Sequence, residues 1–528
     1  MQSIRGIEIS STPPAGDKLW IRPNGDKQDI FILRNGKWKN VSDSSSALVS
    51  SESKHENETG VEYILEKELK ETSNILIADS MYYGCDIEQL DIPEETFRHV
   101  IIATNMFKSC SNLKRVHIGN KSFSNIQNAN AMFMSCSNLE TFEAEKSAFC
   151  SSSVLSNMFR ACPKLTSVKF IQGFTTGMEQ YVMTITTGVG MFYGDSSLQE
   201  VEMGPIPCLC SAYSMFGKCS SLREFKPTEL PSLTNGAYMF CNCSSLSEFK
   251  PTELPSLTNG AYMFYNCSSL SELNLALPEC QSLFSAFEID SNESSKMRSI
   301  SITKISSNLE EISWMAFNQE NLESFVYPSG GFCNVKYAYS AFNKTKKLES
   351  IETSGSDFSN LIVAPYLFHK ASSLASITFP KGTPKIEIAE AMFKNCTSLK
   401  SIIGLDLSGL CLGDAYCSQD VKEWLSENSN YAPSDFLVDD IFKNCTNLVD
   451  CELQGTLYKS GIDLRTCTKL SEQSLKSFIS ALYDWKTNSE KKNTDDTSHS
   501  LLLTVAQQTV VGEDLINKAV MKGWVIKA

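Results

Sequence analysis

Cysteine and histidine are the residue types in this chain that could ligate a metal, form disulfides or serve in catalysis. The 528 residues include 19 cysteines and five histidines. The histidines are scattered along the sequence, at His55, His99, His117, His369 and His499. None belongs to a metal-spaced pair, and the chain has no nucleophile elbow and no phosphate-binding loop. The sequence therefore predicts no catalytic residue, no metal ligand and no cofactor, and we interpret the protein as not an enzyme.

The cysteines follow a repeat rather than the spacing of a ligand set. Between Cys219 and Asn266 a unit of 24 residues occurs twice, as CSSLREFKPTELPSLTNGAYMFCN and then CSSLSEFKPTELPSLTNGAYMFYN. The copies differ only where Arg223 is exchanged for Ser247 and Cys241 for Tyr265. A repeat of this length with leucine at fixed positions is typical of a leucine-rich-repeat solenoid, whose units bury their apolar faces against each other.

Degenerate copies of the unit can be aligned on the Phe of its Met-Phe pair. With that Phe as position zero, a small residue that is usually Cys follows at +3, Leu at +6, an apolar residue at +9 and often another at +11. The alignment requires an insertion after Phe287 and a one-residue deletion at Phe317. It predicts about 13–14 units with one short parallel strand each, and Tyr83 marks a weak fourteenth. The 13 aligned residues are Phe107, Phe133, Phe159, Phe192, Phe216, Phe240, Phe264, Phe287, Phe317, Phe342, Phe368, Phe393 and Phe442.

The repeat itself explains most of the cysteines. At position +3, Cys is replaced by Asp195, Thr345 and Ala371 in other copies. Neither a disulfide partner nor a metal ligand tolerates such exchanges. Buried cysteine behaves as a small hydrophobic residue. We therefore favour a series of reduced structural thiols over disulfides or a metal site.

Composition excludes some classes of partner. The formal net charge of −14 and the absence of a Lys/Arg cluster argue against nucleic acid, because binding a phosphate backbone requires clustered positive charge. No apolar run approaches the roughly 18 residues of a spanning helix, so we expect no membrane insertion. The first residues lack the apolar core of a signal peptide. We therefore expect synthesis in the cytoplasm without signal-dependent export.

A different module precedes the repeats. Residues 1–41 contain four short alternating segments with turn signals between them, which predict a small β-meander. Trp20, Phe31 and Trp38 are the candidate core of this module. About 40 residues barely bury a core without a partner. The module is therefore a candidate for attachment or oligomerisation, and the alternative is a cap that folds back on the first repeat.

The predicted array is flanked and interrupted by other segments. Residues 42–60 are a Ser-rich linker, and residues 61–469 are the solenoid, whose first residues are expected to cover the open end of the stack. The period breaks at residues 409–440, where the pattern predicts a helix from Ser418 to Glu427. Insertions in solenoids often carry binding. Trp424 and Tyr431 are candidate binding residues of this insert, and the alternative is a packed excursion of the chain.

Residues 470–528 predict an α/β capping module at the C-terminus. An amphipathic helix begins at Leu470, with Ser471 as its cap, and runs to about Trp485. A strand at LLLTV, a second helix through Gly512 to Lys522 and a final strand GWVIKA follow. We expect the outer positions of this module to be polar, as in a solenoid cap.

The phrases MFxNCSSLxEF and ELPSLTNGAYMF resemble the BspA-type leucine-rich repeats of bacterial and phage surface proteins. The ending from TKLSEQSLKSFISAL to MKGWVIKA resembles the end of repeat proteins encoded by phages and prophages of gut anaerobes, and LWIRPNGDKQDIFILRNGKWKNV resembles the lead-in of a virion protein. The repeat resemblance covers residues 80–470. It implies a structural or adhesive protein without catalytic activity.

Two functions are compatible with this resemblance. The first is a virion component of a tailed phage, such as a fibre, tail or head decoration, localised in the particle and made in the host cytoplasm. Its N-terminal module would bind virion proteins, and its array would bind a host surface protein or glycan. The second is a bacterial cell-surface adhesin, for which the missing export signal is the main objection. Either function leaves homo-oligomers open.

Overall fold

A computed structural model of the chain comprises two compact units, Met1–Pro251 and Thr252–Ala528. The predicted linker 42–60, residues 61–75 of the predicted array and Tyr431 lie outside the described residues. Within the described residues, no helix combines the length and the apolar character needed to cross a membrane. The structure describes the backbone of five strands in the first 40 residues and, beyond them, residues 76–145, 147–170, 184–351, 357–380, 386–411, 417–427, 440–458, 461–487 and 499–528.

The N-terminal module is one sheet in the order β1-β2-β3-β4-β5. Its last three strands form two antiparallel hairpins at the predicted turns, so the meander prediction is confirmed there. The prediction is wrong for β2 and β3, which pair in parallel, whereas neighbouring strands of a meander are antiparallel. The strands are β1 (Ser3–Ile4), β2 (Ile7–Ile9), β3 (Leu19–Asn24), β4 (Lys27–Arg34) and β5 (Lys37–Asn40).

Short parallel strands, one from each repeat, form the sheets of the first unit. Their apolar residues at +9 and +11 point inward, and the residues between them face solvent or are half-buried, as in the pattern of Arg115–Ile118. Equivalent residues pair directly, so Val116 lies beside Phe142 and Phe142 beside Val168. The strands are β6 (Gln89–Ile92), β7 (Arg115–Ile118), β8 (Thr141–Ala144), β9 (Ser167–Phe170), β10 (Glu200–Glu202), β11 (Glu224–Phe225) and β12 (Glu248–Phe249). The solenoid prediction is confirmed.

The second unit continues the same construction in three parallel sheets and adds helices. The sheets contain β13 (Glu272–Leu277), β14 (Ser299–Ile305) and β15 (Ser324–Val326); β16 (Ser376–Thr378), β17 (Ser401–Ile403) and β18 (Asp450–Cys451); and β19 (Ile462–Asp463), β20 (His499–Leu502) and β21 (Trp524–Lys527). The helices are α1 (Gln419–Glu427), α2 (Glu472–Ala481), α3 (Val505–Val511) and α4 (Glu513–Met521).

The Met-Phe segment of each coil forms a second ladder. Residues two before and two after the aligned Phe are left-handed; Asn105 and Ser109, for example, have φ angles of 56° and 61°. Every second N–H group of the segment donates to a carbonyl oxygen of the following coil. Around Phe107 the N···O distances are 2.8–3.0 Å, and the donors are Ala103, Asn105, Phe107 and Ser109. The intervening N–H groups close turns onto carbonyls three residues earlier. The segment thereby satisfies its buried backbone donors without a regular strand.

Aromatic rings at position zero stack along each unit. In the first unit, successive centroids lie 5.1–5.8 Å apart with ring planes within 14° of parallel. These rings belong to Tyr82, Phe107, Phe133, Phe159, Phe192, Phe216 and Phe240. In the second unit, Phe342, Phe368, Phe393 and Phe442 stack in the same way. Offset stacking adds stability beyond the burial of the rings.

Two of the predicted alignments are wrong by one residue. Tyr82, not Tyr83, occupies position zero of the first described coil, because its ring stacks on Phe107. Ala316, not Phe317, occupies it in a later coil, because Ala316 N donates to Ala341 O just as the other aligned residues donate to the coil after them. Counted from Ala316, the spacing is regular, and no deletion is needed. The ring of Phe317 instead lies beneath Lys344 Nζ, 5.0 Å from its centroid.

The cysteine at +3 hydrogen-bonds to the coil before it. Its Sγ lies 2.9–3.3 Å from the carbonyl oxygen at position zero of that coil, in Cys110, Cys136, Cys162, Cys219, Cys243, Cys396, Cys445 and Cys467. Gln319 makes the equivalent donation to Phe287 O from its amide. Burial raises the pKa of Cys467 to about 12, so that thiol remains a protonated donor. It also raises the pKa of Cys136, Cys162, Cys219, Cys243, Cys396 and Cys445. All 19 cysteines are free thiols in the structure.

Proline and glycine account for local departures from the pattern. Strands β11 and β12 end after two residues, because Pro227 and Pro251 at +11 have no N–H for the ladder. Gly512 has a φ of 88° and divides the predicted second C-terminal helix into α3 and α4. The predicted cap at Ser471 is confirmed, since its side chain accepts from Ser474 N.

The C-terminal module covers the last ring of the second unit. The Phe478 ring packs edge-on against Phe442, with centroids 5.8 Å apart, and the Trp524 indole donates to Tyr483 O at 2.8 Å. The prediction of polar outer positions holds only in part, since Glu513 and Asp514 are exposed but so are apolar residues. The side chains of Val505 and Met521 are 69% and 71% exposed, because the module buries only one face of α3 and α4.

The solenoid predicts a large but local effect of core truncation. Leu246 is fully buried, and Leu246→Ala should lower the free energy of unfolding by about 2–5 kcal/mol. Because each coil contacts only its neighbours, hydrogen exchange should accelerate near Leu246 and remain slow at Phe107. Exposed Ser247→Arg, which copies the other tandem unit, is the matched control and should change stability by less than about 0.5 kcal/mol. Equal acceleration at both sites would contradict the one-dimensional stack.

Candidate functional site

The insert helix α1 encloses a groove on the face of the second unit, here called the insert groove. Its cavity volume is about 470 Å³. One wall belongs to α1 and the rest to the second ladder of the repeats. The lining residues are Asn259, Ala261, Ser282, Phe284, Glu311, Tyr337, Glu423, Trp424 and Glu427.

The repeat places the floor of the groove in a line. Asn259, Ser282, Glu311 and Tyr337 are successive partners in one series of parallel bridges, so each occupies the same position in its coil. Neighbouring strands are separated by about 4.8 Å. Four different side chains therefore lie side by side across consecutive coils.

Helix α1 is held over this floor by its apolar face. Val421 and Trp424 are buried and pack with Val363 and Ile388 in one cluster, and Leu425 lies against it. Ser418 Oγ accepts from Val421 N at 3.3 Å and caps the helix. The predicted helix and its apolar face are confirmed, with the first helical residue one position later than predicted.

Half-buried aromatic side chains continue from the groove along the same face. Successive ring centroids are separated by 5.3, 5.2, 4.3 and 5.9 Å. The Trp424 indole joins this row through Tyr339, at 6.1 Å, and is stacked with Tyr337 at 6.2 Å. The row, here called the aromatic row, consists of Tyr262, Phe284, Trp314, Tyr339 and Tyr366.

The repeats match a known family over most of their length. The description of that family is "BspA type Leucine rich repeat region (6 copies)", and its matches span residues 75–204, 183–282, 210–349 and 287–407. The chain belongs to the BspA-type leucine-rich-repeat family. The resemblance seen in the sequence is thereby confirmed at the level of the family. No curated protein matches the chain.

Solved structures similar to this BspA-type chain include another leucine-rich repeat protein. A leucine-rich repeat protein from Bacteroides ovatus ATCC 8483 is 18% identical with a TM-score of 0.39, covering 61% of this chain and 82% of its own. A chain of the Toll–Spatzle complex of Drosophila is 12% identical with a TM-score of 0.26, and the match covers 86% of this chain and 64% of the Drosophila complex chain. A chain of the TLR13–ssRNA13 complex is 14% identical with a TM-score of 0.16, covering 81% and 68%. At these values the likenesses bear on no ligand or partner.

The insert groove of this BspA-type protein is negatively charged. Burial raises the pKa of Glu311 to about 7, although Ser313 N donates to its Oε1 at 2.8 Å. Burial and the surrounding carboxylates, Asp420 first among them, raise the pKa of Tyr337 to about 12. No Lys, Arg or His is among the described residues that line the groove. The nearby Lys336 Nζ is paired with Glu310 Oε2 at 3.3 Å.

The structure places the predicted site residues in different parts of the chain. Trp424 lines the insert groove. Trp20, Phe31 and Trp38 lie on β3, β4 and β5, where Trp20 is the direct register partner of Phe31. Their side chains lie outside the described residues, so their role as an attachment core stays a prediction.

Sequence reasoning missed Glu311 and the other floor residues. Their position in the coil carries Asn, Ser, Glu and Tyr in turn and so shows no pattern of its own. Their alignment across consecutive coils is the signal that could have identified them.

His117, one of the described histidines, lies between two carboxylates. Its Nδ1 lies 2.8 Å from Asp91 Oδ1 and its Nε2 lies 3.3 Å from Glu145 Oε1. The hydrogen bond with Asp91 is the main cause of its raised pKa. Both ring nitrogens are thus engaged between neighbouring coils. This arrangement suits an ion-pair link, and leucine-rich-repeat folds are typically non-enzymatic.

The pKa of Glu311 predicts that the protein loses stability between pH 4.5 and about 7. A carboxyl group whose pKa is raised by folding binds more protons in the folded state, so stability falls as pH rises through this window and is then level. Glu311→Gln should therefore be neutral near pH 4 and stabilising by about 1–3 kcal/mol at pH 8. Denaturant unfolding at both pH values measures the difference.

The matched control is Glu310→Gln, which removes a more exposed carboxylate that is paired with Lys336. This variant should gain no stability at pH 8, because a surface ion pair contributes at most about 1 kcal/mol and its loss is unfavourable. If Glu311→Gln changed the free energy of unfolding equally at both pH values, the raised pKa of Glu311 in the folded state would be contradicted.

Proposed function

We propose that this BspA-type protein is a non-enzymatic binding protein that takes its ligand in the insert groove. The observation that carries the proposal is the meeting of three carboxylates and three aromatic rings in one cavity. Its volume lies within the range of roughly 300–1,000 Å³ that is usual for ligand pockets.

The charge of the groove favours a cationic group on the ligand. Glu311, Glu423 and Glu427 lie in the lining without an opposing Lys, Arg or His among the described lining residues. A bound cation would offset their mutual repulsion and favour the ionised form of Glu311. The rings of Tyr337 and Trp424 attract cations through their faces, an interaction strengthened by desolvation.

The aromatic row favours a ligand longer than a single cationic side chain. Its five half-buried rings extend along the coils from the groove. Tyr and Trp offer large, rigid contact areas at low entropic cost, and they are enriched where proteins bind other proteins. We therefore propose a protein ligand with a Lys or Arg side chain in the groove and adjacent residues on the aromatic row.

We further propose that the protein is a component of the virion of a tailed phage and binds its ligand there. The support is the resemblance of the repeats, the C-terminal ending and the N-terminal lead-in to phage-encoded repeat proteins. The array would then bind a host surface protein, with a host glycan as the alternative ligand. A bacterial cell-surface adhesin of the same repeat family is the alternative setting.

The N-terminal module is the proposed attachment to virion proteins. Residues 1–41 contain seven Lys or Arg against four Asp or Glu, a local charge of +3, while the whole chain carries −14. This difference favours docking of the module on an acidic partner that the rest of the chain would repel. The Ser-rich composition of residues 42–60 suits a linker between the N-terminal module and the repeat array.

Binding in the groove can be tested with paired peptides. Arginine peptides and their citrulline counterparts have nearly the same shape but differ in charge. In calorimetric titration of the full chain against an arginine peptide library, the best binders should lose at least about tenfold in affinity on change to citrulline. Trp424→Ala and a Glu423→Gln, Glu427→Gln double variant should weaken the same peptides.

The matched control is Tyr213→Ala, which removes a 42% exposed aromatic residue from the first unit and should leave affinity unchanged. A glycan array run in parallel tests the alternative ligand. If neutral glycans bind and Trp424→Ala abolishes their binding, the proposal of a cationic ligand is wrong, but the groove remains the binding site. Binding unaffected by the groove variants would overturn the groove itself.

Attachment by the N-terminal module can be tested by deleting residues 1–60. The shortened protein should stay folded and soluble, because the repeats bury their own core, but it should no longer enter phage particles or oligomers. Mass spectrometry of purified particles and light scattering measure the two outcomes. An array that unfolds or aggregates after the deletion would identify the module as a cap.

A further inference from the structure

Two cysteines of the insert meet a carboxylate of the preceding coil. A carboxylate oxygen of Glu387 and the Sγ atoms of Cys411 and Cys417 all lie within 4.8 Å of one another. Both cysteines are buried in the cluster that also contains Val421 and Trp424. This is the one such group of three among the residues that the structure describes.

The geometry of this group suits a tetrahedral ion. Glu387 Oε2 and Cys411 Sγ are 3.5 Å apart. Bonds of about 2.3 Å to sulfur and 2.0–2.2 Å to oxygen, at a tetrahedral angle, place these ligand atoms about 3.5 Å apart. The carboxylate is also oriented from outside the group, because Ser418 N donates to Glu387 Oε2 at 2.7 Å. Such supporting hydrogen bonds are typical of metal ligands.

These cysteines differ from those of the repeat. The cysteine at +3 donates to a backbone carbonyl, whereas Cys411 Sγ faces a carboxylate. Two thiols and a carboxyl group in an apolar cluster are costly unless they satisfy one another or share an ion. The Cys411 backbone is fixed as well, since its N–H donates to Glu387 O at 2.9 Å.

We propose that Glu387, Cys411 and Cys417 bind one Zn²⁺ ion, with water in the fourth position. Thiolate, carboxylate and water are a ligand set that zinc accepts in tetrahedral geometry. The two thiol protons leave as the metal binds, so two thiolates and one carboxylate face the ion. The sequence predicts no metal ligand, because Glu387 comes from another coil and the two cysteines lack the usual zinc spacing.

The ion would fasten the insert to the array. Glu387 belongs to the repeat, while Cys417 lies two residues before the start of α1. A bond from both to the same ion would hold the N-terminal end of α1 on the coil. The inference concerns the attachment of α1 and does not depend on what the insert groove binds.

The test is metal content and spectroscopy of the full chain. Protein dialysed against zinc and then against metal-free buffer should retain one zinc per chain. Cobalt substitution should give the intense thiolate-to-cobalt charge-transfer bands of a tetrahedral site. The Cys411→Ser, Cys417→Ser double variant should abolish these bands, and Glu387→Gln should weaken binding at least about tenfold. Exposed Cys210→Ser is the matched control and should retain both metal and bands.

Three outcomes would overturn the site. They are the absence of stoichiometric metal, bands that survive in the double cysteine variant, and a Cys411–Cys417 disulfide in metal-free protein isolated without oxidant. Glu387→Gln guards against misfolding of the cysteine variants, because its amide oxygen can still accept from Ser418 N. If only this variant folds, unchanged zinc affinity in it also rejects the proposal.

Discussion

The stacking of one coil on the next is the interaction on which the rest of the structure depends. A single coil has too few residues to enclose its own apolar side chains, so its ring at position zero, its leucine at +6 and its strand residues are buried only when a neighbour covers them. The thiol at +3 adds a directed bond to this stacking by donating to the carbonyl of the previous coil. Gln319 preserves that bond where cysteine is absent. Other coils lack this bond, since Ala371 has no side-chain donor and Thr345 Oγ1 donates to Phe342 O of its own coil.

Regular stacking also explains why the candidate site is where it is. A solenoid face repeats the same positions at fixed intervals, so side chains at one position of several coils form a row without further folding. The insert helix turns one such row into a cavity, because Trp424 and Val421 bury the apolar face of the helix against the coils. The groove also contains a carboxyl group that is largely removed from water, since Glu311 lies beside Tyr337. Repeat, insert and carboxylates together are needed for the proposed binding.

The sequence predicts the fold well, because each element leaves a periodic signal. The strands, the ring positions and the insert helix could be assigned from spacing alone. The errors of alignment arise where two apolar residues are adjacent: Tyr82 precedes Tyr83 and Ala316 precedes Phe317, and spacing does not show which one faces inward. The groove is less predictable. Trp424 stands out in a helical pattern, but Glu311 acquires its surroundings only when a helix about a hundred residues later folds over it, and Glu387 meets Cys411 and Cys417 in the same way.

The hydrogen bonds of the Met-Phe ladder all run in one direction along a unit. In each of these segments alternate N–H groups point to the following coil, and the carbonyls of the same peptide units point to the preceding one. In an ordinary sheet strand the two groups alternate, so their dipoles cancel. Here they add, as they do in a helix. Each unit therefore carries an axial dipole in one wall of the solenoid, positive towards later coils and negative towards earlier ones. An element that covers either end must meet a row of like partial charges, which gives the two ends different electrostatic requirements.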